Sequence, residues 1–389
     1  MTEKDRHAAA QQNMDRFADR TGLTSDKPAR RYLWTDAFAV CIWLELFRRA
    51  GDKEHLNLAL SLVDQVHHVL AKHREDDPRT GWISGLGEDQ GESHPTRGGL
   101  RIGKQLNERK PEEPFDPNLE WERDGQYFHY LTKWMHALNR VARIKQDRTY
   151  RRWAAELART AHNAFTYELP STGEKHMYWK MSIDLSYPLV PSMGQHDPLD
   201  ALITYWELNT AYGGLEQVDA IDLKSEIAEA AGMCVHRDWT TTDALGIGGL
   251  LTDAYWTAQL LTVGAGIQVD LLTELLEAIR QSMGVYISHS ELKGPASYRL
   301  AFRELGLALG LQALEPLQRL LSQNTSTFGD LDSIDALLND LMRYKPIGGE
   351  IVRFWRTERA QAADTWTSHE DINAVMLAAC LIPEGYLRV

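Results

Sequence analysis

Three cysteines in 389 residues are too few and too scattered for a disulfide framework. Cys41, Cys234 and Cys380 each lie inside an apolar helical stretch, so buried free thiols and a reducing, cytoplasmic setting are expected. Paired Cys or Cys-His spacing is absent, which argues against a zinc site, and no metal or other cofactor is expected. The first residues, Met1-Thr2-Glu3-Lys4-Asp5-Arg6, are polar and do not read as a secretion signal. No run of about eighteen apolar residues suggests a membrane span. Positive charge is also scarce: 42 Lys and Arg against 55 Asp and Glu leave a formal charge of -13. Without a basic stripe, nucleic acid and anionic membrane surfaces are poor partners.

What the chain does have is an alternation. Nearly all-apolar helical stretches begin near Thr35, Gly125, Asp197, Gly248, Ser297 and Ser368, and amphipathic ones lie between them. A helix apolar all round must be buried all round, whereas one with a single stripe lies outside. Outer helices are expected over 3–20, 54–73, 148–167, 218–235, 268–284 and 315–344, the last broken around Thr325 to Gly329. In the third of these, Tyr150, Trp153, Leu157, Ala161 and Phe165 recur at three- and four-residue steps. Six inner and six outer helices predict an all-α fold, an (α/α)6 toroid formed by residues 1–389 as one domain.

Inner-to-outer connections are turn-sized, as at Ala50-Gly51-Asp52-Lys53, Lys145-Gln146-Asp147 and Gly213-Gly214. Outer-to-inner ones are far longer, extreme over 74–123, 168–196 and 345–367. Connections of that length are usually functional or disordered. Seven of the twelve tryptophans lie in them or where they meet an inner helix: Trp34, Trp82, Trp121, Trp179, Trp239, Trp355 and Trp366. That is too aromatic for disorder. The long loops are expected to gather on one rim, beside the N-termini of the inner helices, and that rim is the candidate site.

Four polar clusters mark the entries to inner helices. They are Tyr32-Leu33-Trp34-Thr35-Asp36, Trp121-Glu122-Arg123-Asp124-Gly125-Gln126, Gly194-Gln195-His196-Asp197-Pro198 and Trp366-Thr367-Ser368-His369-Glu370-Asp371. Helix N-termini hold carboxylates in their charged form. Capping is the plain alternative: Asp197 before Pro198 reads as an N-cap, and Ser368 with Asp371 resembles a capping box. Glu122, His196, His369 and Glu370 carry no such obligation. The tryptophans either pin the loops or stack on a ligand ring, as sugar C–H faces do. Residues 176–184 offer Tyr178, Trp179, Lys180 and Asp184 to such a ligand, and Arg299 stands at the start of the fifth inner helix. Arg303 and Glu304, charged within an apolar element, are expected to pair or to face a cavity. Little weight falls on His129 with His136, on His67-His68, or on Gly246-Ile247-Gly248-Gly249, which lacks the strand and spacing of a phosphate-binding loop.

The inner and outer helices with acidic and aromatic residues at the inner N-termini resemble the six-hairpin glycosidase-like superfamily. The resemblance covers nearly the whole chain but is architectural, so no family's catalytic residues are carried over. It implies a small carbohydrate as substrate and leaves three readings open. In the first, a carboxylate pair drawn from Asp124, Asp197, Glu122 and Glu370, with Asp36 orienting, cleaves a glycoside. In the second, implied by the N-acylglucosamine 2-epimerase group, His196 and His369 move protons on an opened sugar. In the third, the toroid binds a ligand without catalysis. Substrate contacts are expected from Trp34, Asp36, Trp121, Gln126, Tyr178, Trp179, Lys180, Gln195, Arg299 and Trp366. The charged stretch Glu88 to Glu92, followed by Arg97 to Arg101, suits either a lid or a contact between copies.

Overall fold

The computed structural model describes residues 1–210, 222–289, 292–328 and 331–389. The Gly213-Gly214 turn, the first residues of the 218–235 helix and Gly329 lie outside the described residues. The chain divides into two compact units, Ala18–Arg237 and Met1–Phe17 with Asp238–Val389. Helix α1 (Glu3–Arg20) opens the chain.

In the Ala18–Arg237 unit, α2 (Leu33–Ala50) and α3 (Lys53–Leu70) form the first hairpin. α2 is buried at every position from Leu33 to Leu46, whereas α3 buries one stripe through Ala59, Leu62, Val63, Val66 and Leu70. Gly51 ends α2 at φ +70, a left-handed turn that glycine adopts without a Cβ clash, and its N–H returns to the Phe47 carbonyl. Asp52 then caps α3 by accepting the Glu54 N–H. Short helices α4 (Glu88–Ser93) and α5 (Pro117–Glu122) sit within the long 74–123 connection. Strand β1 (Gln126–Tyr127) leads into α6 (Phe128–Lys145), and Asp147 caps its partner α7 (Arg148–Phe165). Helix α2 packs on α3 and α6, and α6 packs on α7 and α8 (Asp197–Asn209), whose partner is α9 (Lys224–Cys234).

The 168–196 connection is ordered by short strands. β2 (Thr166–Glu168) pairs antiparallel with β3 (Lys175–Met177). β1, β4 (Lys180–Met181) and β5 (Pro188–Val190) make a second antiparallel sheet, with Tyr127 opposite Lys180 and Lys180 opposite Val190. This sheet ties the 168–196 connection to the start of α6.

In the other unit, α10 (Ala244–Thr262) packs on α11 (Val269–His289) and on α12 (Ala301–Gln312). The glycines set aside as a phosphate loop explain that second contact. A Cβ on Gly248 would lie 2.2 Å from the Gly306 carbonyl oxygen, and one on Gly310 would lie 2.5 Å from that of Gly248. Only glycine lets these backbones approach so closely. After α13 (Leu314–Gln323), α14 (Thr325–Phe328) and α15 (Leu331–Met342), residues 345–367 depart from the sequence reading. They are helical, forming α16 (Lys345–Trp355), α17 (Glu358–Gln361) and α18 (Asp364–Thr367). Gly348, Ile351 and Trp355 are buried at three- and four-residue spacing, and α16 packs on α12. α19 (Glu370–Leu381) also packs on α12, and α20 (Glu384–Leu387) follows.

The three cysteines are free and buried, and burial pushes the Cys41 thiol up to about 12. Among the described residues no helix is long and apolar enough to cross a membrane.

Candidate active site

Several polar residues expected to meet a ligand are instead struts. Asp124 is fully buried. Its Oδ2 takes hydrogen bonds from Arg101 (2.6 Å) and Arg74 (3.3 Å), and its Oδ1 takes the N–H groups of Gly103 and Gly125, each at 3.0 Å. Arg101 in turn donates to the carbonyls of Val69 and Lys72 at the end of α3. Asp124 therefore clamps the entry of α6 to the end of α3, and is neither a cap nor an open catalytic carboxylate.

Gln126 spends its amide on the Leu100 N–H and on the carbonyls of Gly98 and Ile183, stitching the two long connections together. Lys180 is fully buried and donates three times: to the Glu120 carbonyl, the Glu120 carboxylate and the Arg123 carbonyl, at 2.7 to 2.9 Å. Asp36 is buried and accepts the Tyr32 N–H, with Arg31 3.5 Å away. Trp34 is buried and lies 4.4 Å from Phe38. In the other unit, Arg299 is buried and bidentate on Glu304, and its guanidinium lies 3.8 Å over Phe354. Glu304 also accepts from Trp355, which stacks on buried Trp366 at 5.9 Å, and Arg303 pairs with Asp243 at 2.6 Å. Apart from the part-exposed Arg303–Asp243 pair, each of these charges or rings near a helix start serves the scaffold, because burial makes an unpaired polar group expensive.

What remains open collects at the first turns of α6 and α8. Tyr127, buried at the end of β1, backs this opening, and its ring packs against the part-exposed His129 (5.4 Å), Tyr130 (5.2 Å) and Trp179 (5.3 Å). Trp121, half exposed, stands edge-on to Trp179 at 5.0 Å. The Tyr130 and Tyr32 hydroxyls share a 2.6 Å hydrogen bond, and Lys104 Nζ sits 5.7 Å over the Tyr32 ring. Burial pushes the Tyr32 hydroxyl up to about 12, with Asp124 and Glu122 adding to the rise, and burial raises Tyr127 further. Burial lowers Lys104. Together these rings form an aromatic shelf.

Across the shelf, His129 Nδ1 lies 3.5 Å from Asp197 Oδ1. Asp197 is the first residue of α8 and caps nothing, because the N-cap position belongs to His196, whose side chain makes no capping bond. Its Oδ2 is buried and has no hydrogen-bond partner among the described residues. Beside it, Lys133 holds Asp200 at 2.8 Å. Glu122 and Gln195 are exposed and His196 is half-buried in the same unit. Tyr178 is turned to other use, stacked on Tyr167 at 4.2 Å. His369, edge-on to Phe302 at 5.7 Å, and Glu370 are exposed in the Asp238–Val389 unit. There α19 carries no side-chain cap, so Ser368 and Asp371 do not form the capping box. Among the described residues no group of three or more His, Cys, Asp and Glu is placed to hold a metal.

Lys104, Tyr127 and Tyr130 were absent from the sequence-derived site, Tyr32 entered it only as the edge of a helix-entry cluster, and His129 was given little weight. Their signal was available: Tyr127, His129 and Tyr130 directly follow the Trp121–Gln126 cluster. They read as the start of a buried helix, although the first turn of such a helix is its one open end.

No protein-family model matches this sequence, and no curated relative does. Among solved structures, the GH76A α-1,6-mannanase from Salegentibacter sp. is similar over 97% of this chain and 99% of its own, at 12% identity and TM-score 0.52. An inactive variant of it in complex with α-1,6-mannotriose matches equally well. A sugar epimerase from a ruminal bacterium aligns at 11% identity over 88% of this chain and 86% of its own, with TM-score 0.47. The mannanase likeness, at 12% identity, shows the fold alone, an all-α (α/α)6 toroid.

Proposed function

We propose that this chain is a carbohydrate-active enzyme that binds a sugar on the Trp121–Trp179–Tyr127–Tyr130 shelf and moves a proton with His129. The observation that carries the reading is the His129–Asp197 pair, with a carboxylate 3.5 Å from the imidazole and its second oxygen unspent. A carboxylate beside one ring nitrogen fixes the tautomer and supports the imidazolium once the other nitrogen takes a proton. Stacked aromatic faces beside it suit the C–H face of a pyranose. The mannanase of the same fold acts on and binds α-1,6-linked mannose, which supports a sugar ligand, although a fold alone does not name a reaction.

The reaction favoured is proton transfer on the reducing-end or opened sugar, an epimerisation or isomerisation. His129 serves as one carrier, and His196 or Glu122 as the other. Hydrolysis by a carboxylate pair is the second reading, and Asp197 with its free Oδ2 favours it. With Asp124 held by two arginines, the remaining partner in this unit is Glu122.

Incubation with a library of monosaccharides, mannobiose and α-1,6-mannotriose in heavy water separates the two. Epimerisation places one deuterium on a sugar carbon without new reducing ends. Hydrolysis releases reducing ends without carbon-bound deuterium. Neither product from any sugar, in protein of verified fold, overturns the enzyme reading.

A further inference from the structure

A pocket opens on the outer helices of the Ala18–Arg237 unit, with a cavity volume of about 80 Å³ that continues into open solvent. It lies between α3, α7 and the 74–123 connection, and none of its lining residues belongs to the aromatic shelf. Its walls are Trp82, Tyr150 and Trp153, its rim carries Asp64 and Glu92, and His67 lines its floor.

His67 is the informative residue. It is almost fully buried, and the Trp134 indole lies 3.2 Å from its Nε2. An indole N–H can only donate, so Nε2 must be the acceptor. Burial holds the imidazole neutral by lowering it to about 3. A neutral imidazole accepting at Nε2 carries its proton on Nδ1. That Nδ1–H makes no hydrogen bond among the described residues and is not sealed from the pocket, so a donor of fixed tautomer on a buried residue is left for whatever enters it.

Three ligand classes can be weighed against these groups. An anion meets two carboxylates at the rim, Asp64 and Glu92, against the one imidazole of His68 between them. An organic ammonium would suit the aromatic walls and the acids, yet it would leave the His67 donor unmet. A neutral hydroxylated ring meets all three features. One hydroxyl accepts from His67, others donate to Asp64 or Glu92, and the C–H face lies on Tyr150 or Trp153. Glu92 is held by His68, whose Nε2 lies 2.7 Å from its carboxylate while Nδ1 donates to the Asp64 backbone carbonyl at 2.9 Å.

We infer that this pocket is a second sugar-binding site, separate from the shelf, that holds one pyranose unit with His67 as its buried donor. The inference does not depend on which reaction the shelf performs. Saturation-transfer NMR and calorimetry with methyl glycosides of mannose, glucose, galactose and N-acetylglucosamine, and with α-1,6-mannotriose, test it on the full chain. Asp64→Asn alters an exposed side chain, Tyr150→Ala removes a wall, and thermal melts confirm that each variant folds. At least one probe should bind, with Kd rising at least fivefold in both variants and unchanged in Trp121→Ala. Binding lost in Trp121→Ala but intact in Asp64→Asn and Tyr150→Ala overturns this site and leaves the shelf standing. Binding weakened in Asp64→Asn and Tyr150→Ala but kept in Trp121→Ala supports this site, whichever sugar the shelf takes. No binding by any probe to the folded chain also overturns it.

Discussion

His129 Nδ1 and Asp197 Oδ1 stand 3.5 Å apart, each on the first turn of a different buried helix. The two residues are 68 positions apart in sequence, and α6 packing on α8 brings them together. Asp197→Asn keeps the shape of the side chain, and the lost charge leaves no cap broken and no arginine stranded. The expected result is a change in stability of about 1 kcal/mol or less, an ordinary single-mutant effect. Turnover should fall by at least a hundredfold in both Asp197→Asn and His129→Gln, the usual scale for a proton-transfer group. Activity retained within threefold in both, measured beside thermal melts, would sink the assignment.

Asp124→Asn should behave in the opposite way. Removing one partner of a buried ion pair costs about 3–5 kcal/mol, because Arg101 and Arg74 would face a neutral group. Chemical denaturation should show a lower midpoint without a change in slope. A variant as stable as the parent but inactive would return Asp124 to the catalytic candidates.

Trp121 is half exposed and bears on Trp179 from one side only. Trp121→Ala is expected to leave thermal stability nearly unchanged and to raise KM for the sugar about fivefold, with a smaller effect on kcat. A stacking platform contributes about 1 kcal/mol to binding, which sets that scale. Equal loss in kcat and kcat/KM would place the indole in the reaction rather than in binding.

His67 predicts an acid sensitivity. Its folded value is depressed to about 3 by burial, against an ordinary 6.5, so the unfolded chain binds the extra proton between those limits. The stability is present above about pH 6.5 and is lost as pH falls towards 3, at up to about 1.4 kcal/mol per unit. His67→Gln keeps an acceptor for Trp134 and cannot titrate. Its urea midpoint should therefore fall less steeply than that of the parent between pH 6.5 and 4. Parallel slopes would show that His67 is protonated in the folded chain.

The hairpins were legible because burial imposes a period. Leu33 to Leu46 reads as apolar because all of α2 is enclosed, and the α3 and α7 stripes follow from one covered face. Residues 345–367 were misread because Pro346 and Gly348-Gly349 look like loop punctuation. In the fold, Pro346 sits in the first turn of α16, and Gly348 lets the helix lie close on α12.

The site was less legible, and the reason is electrostatic. A charge near a helix start looks the same on paper whether it binds a ligand or a distant partner. Asp124 meets Arg74 from 50 positions away, and Lys180 meets Glu120 from 60. The sequence by itself determined which helices would be enclosed, since hydrophobic pattern is a local property paid in water-exposed area. Only the tertiary structure decided which polar groups were spent on the scaffold and which were left for a ligand. Pairing depends on positions in space, and those arise only when the long connections fold against the starts of α6 and α8.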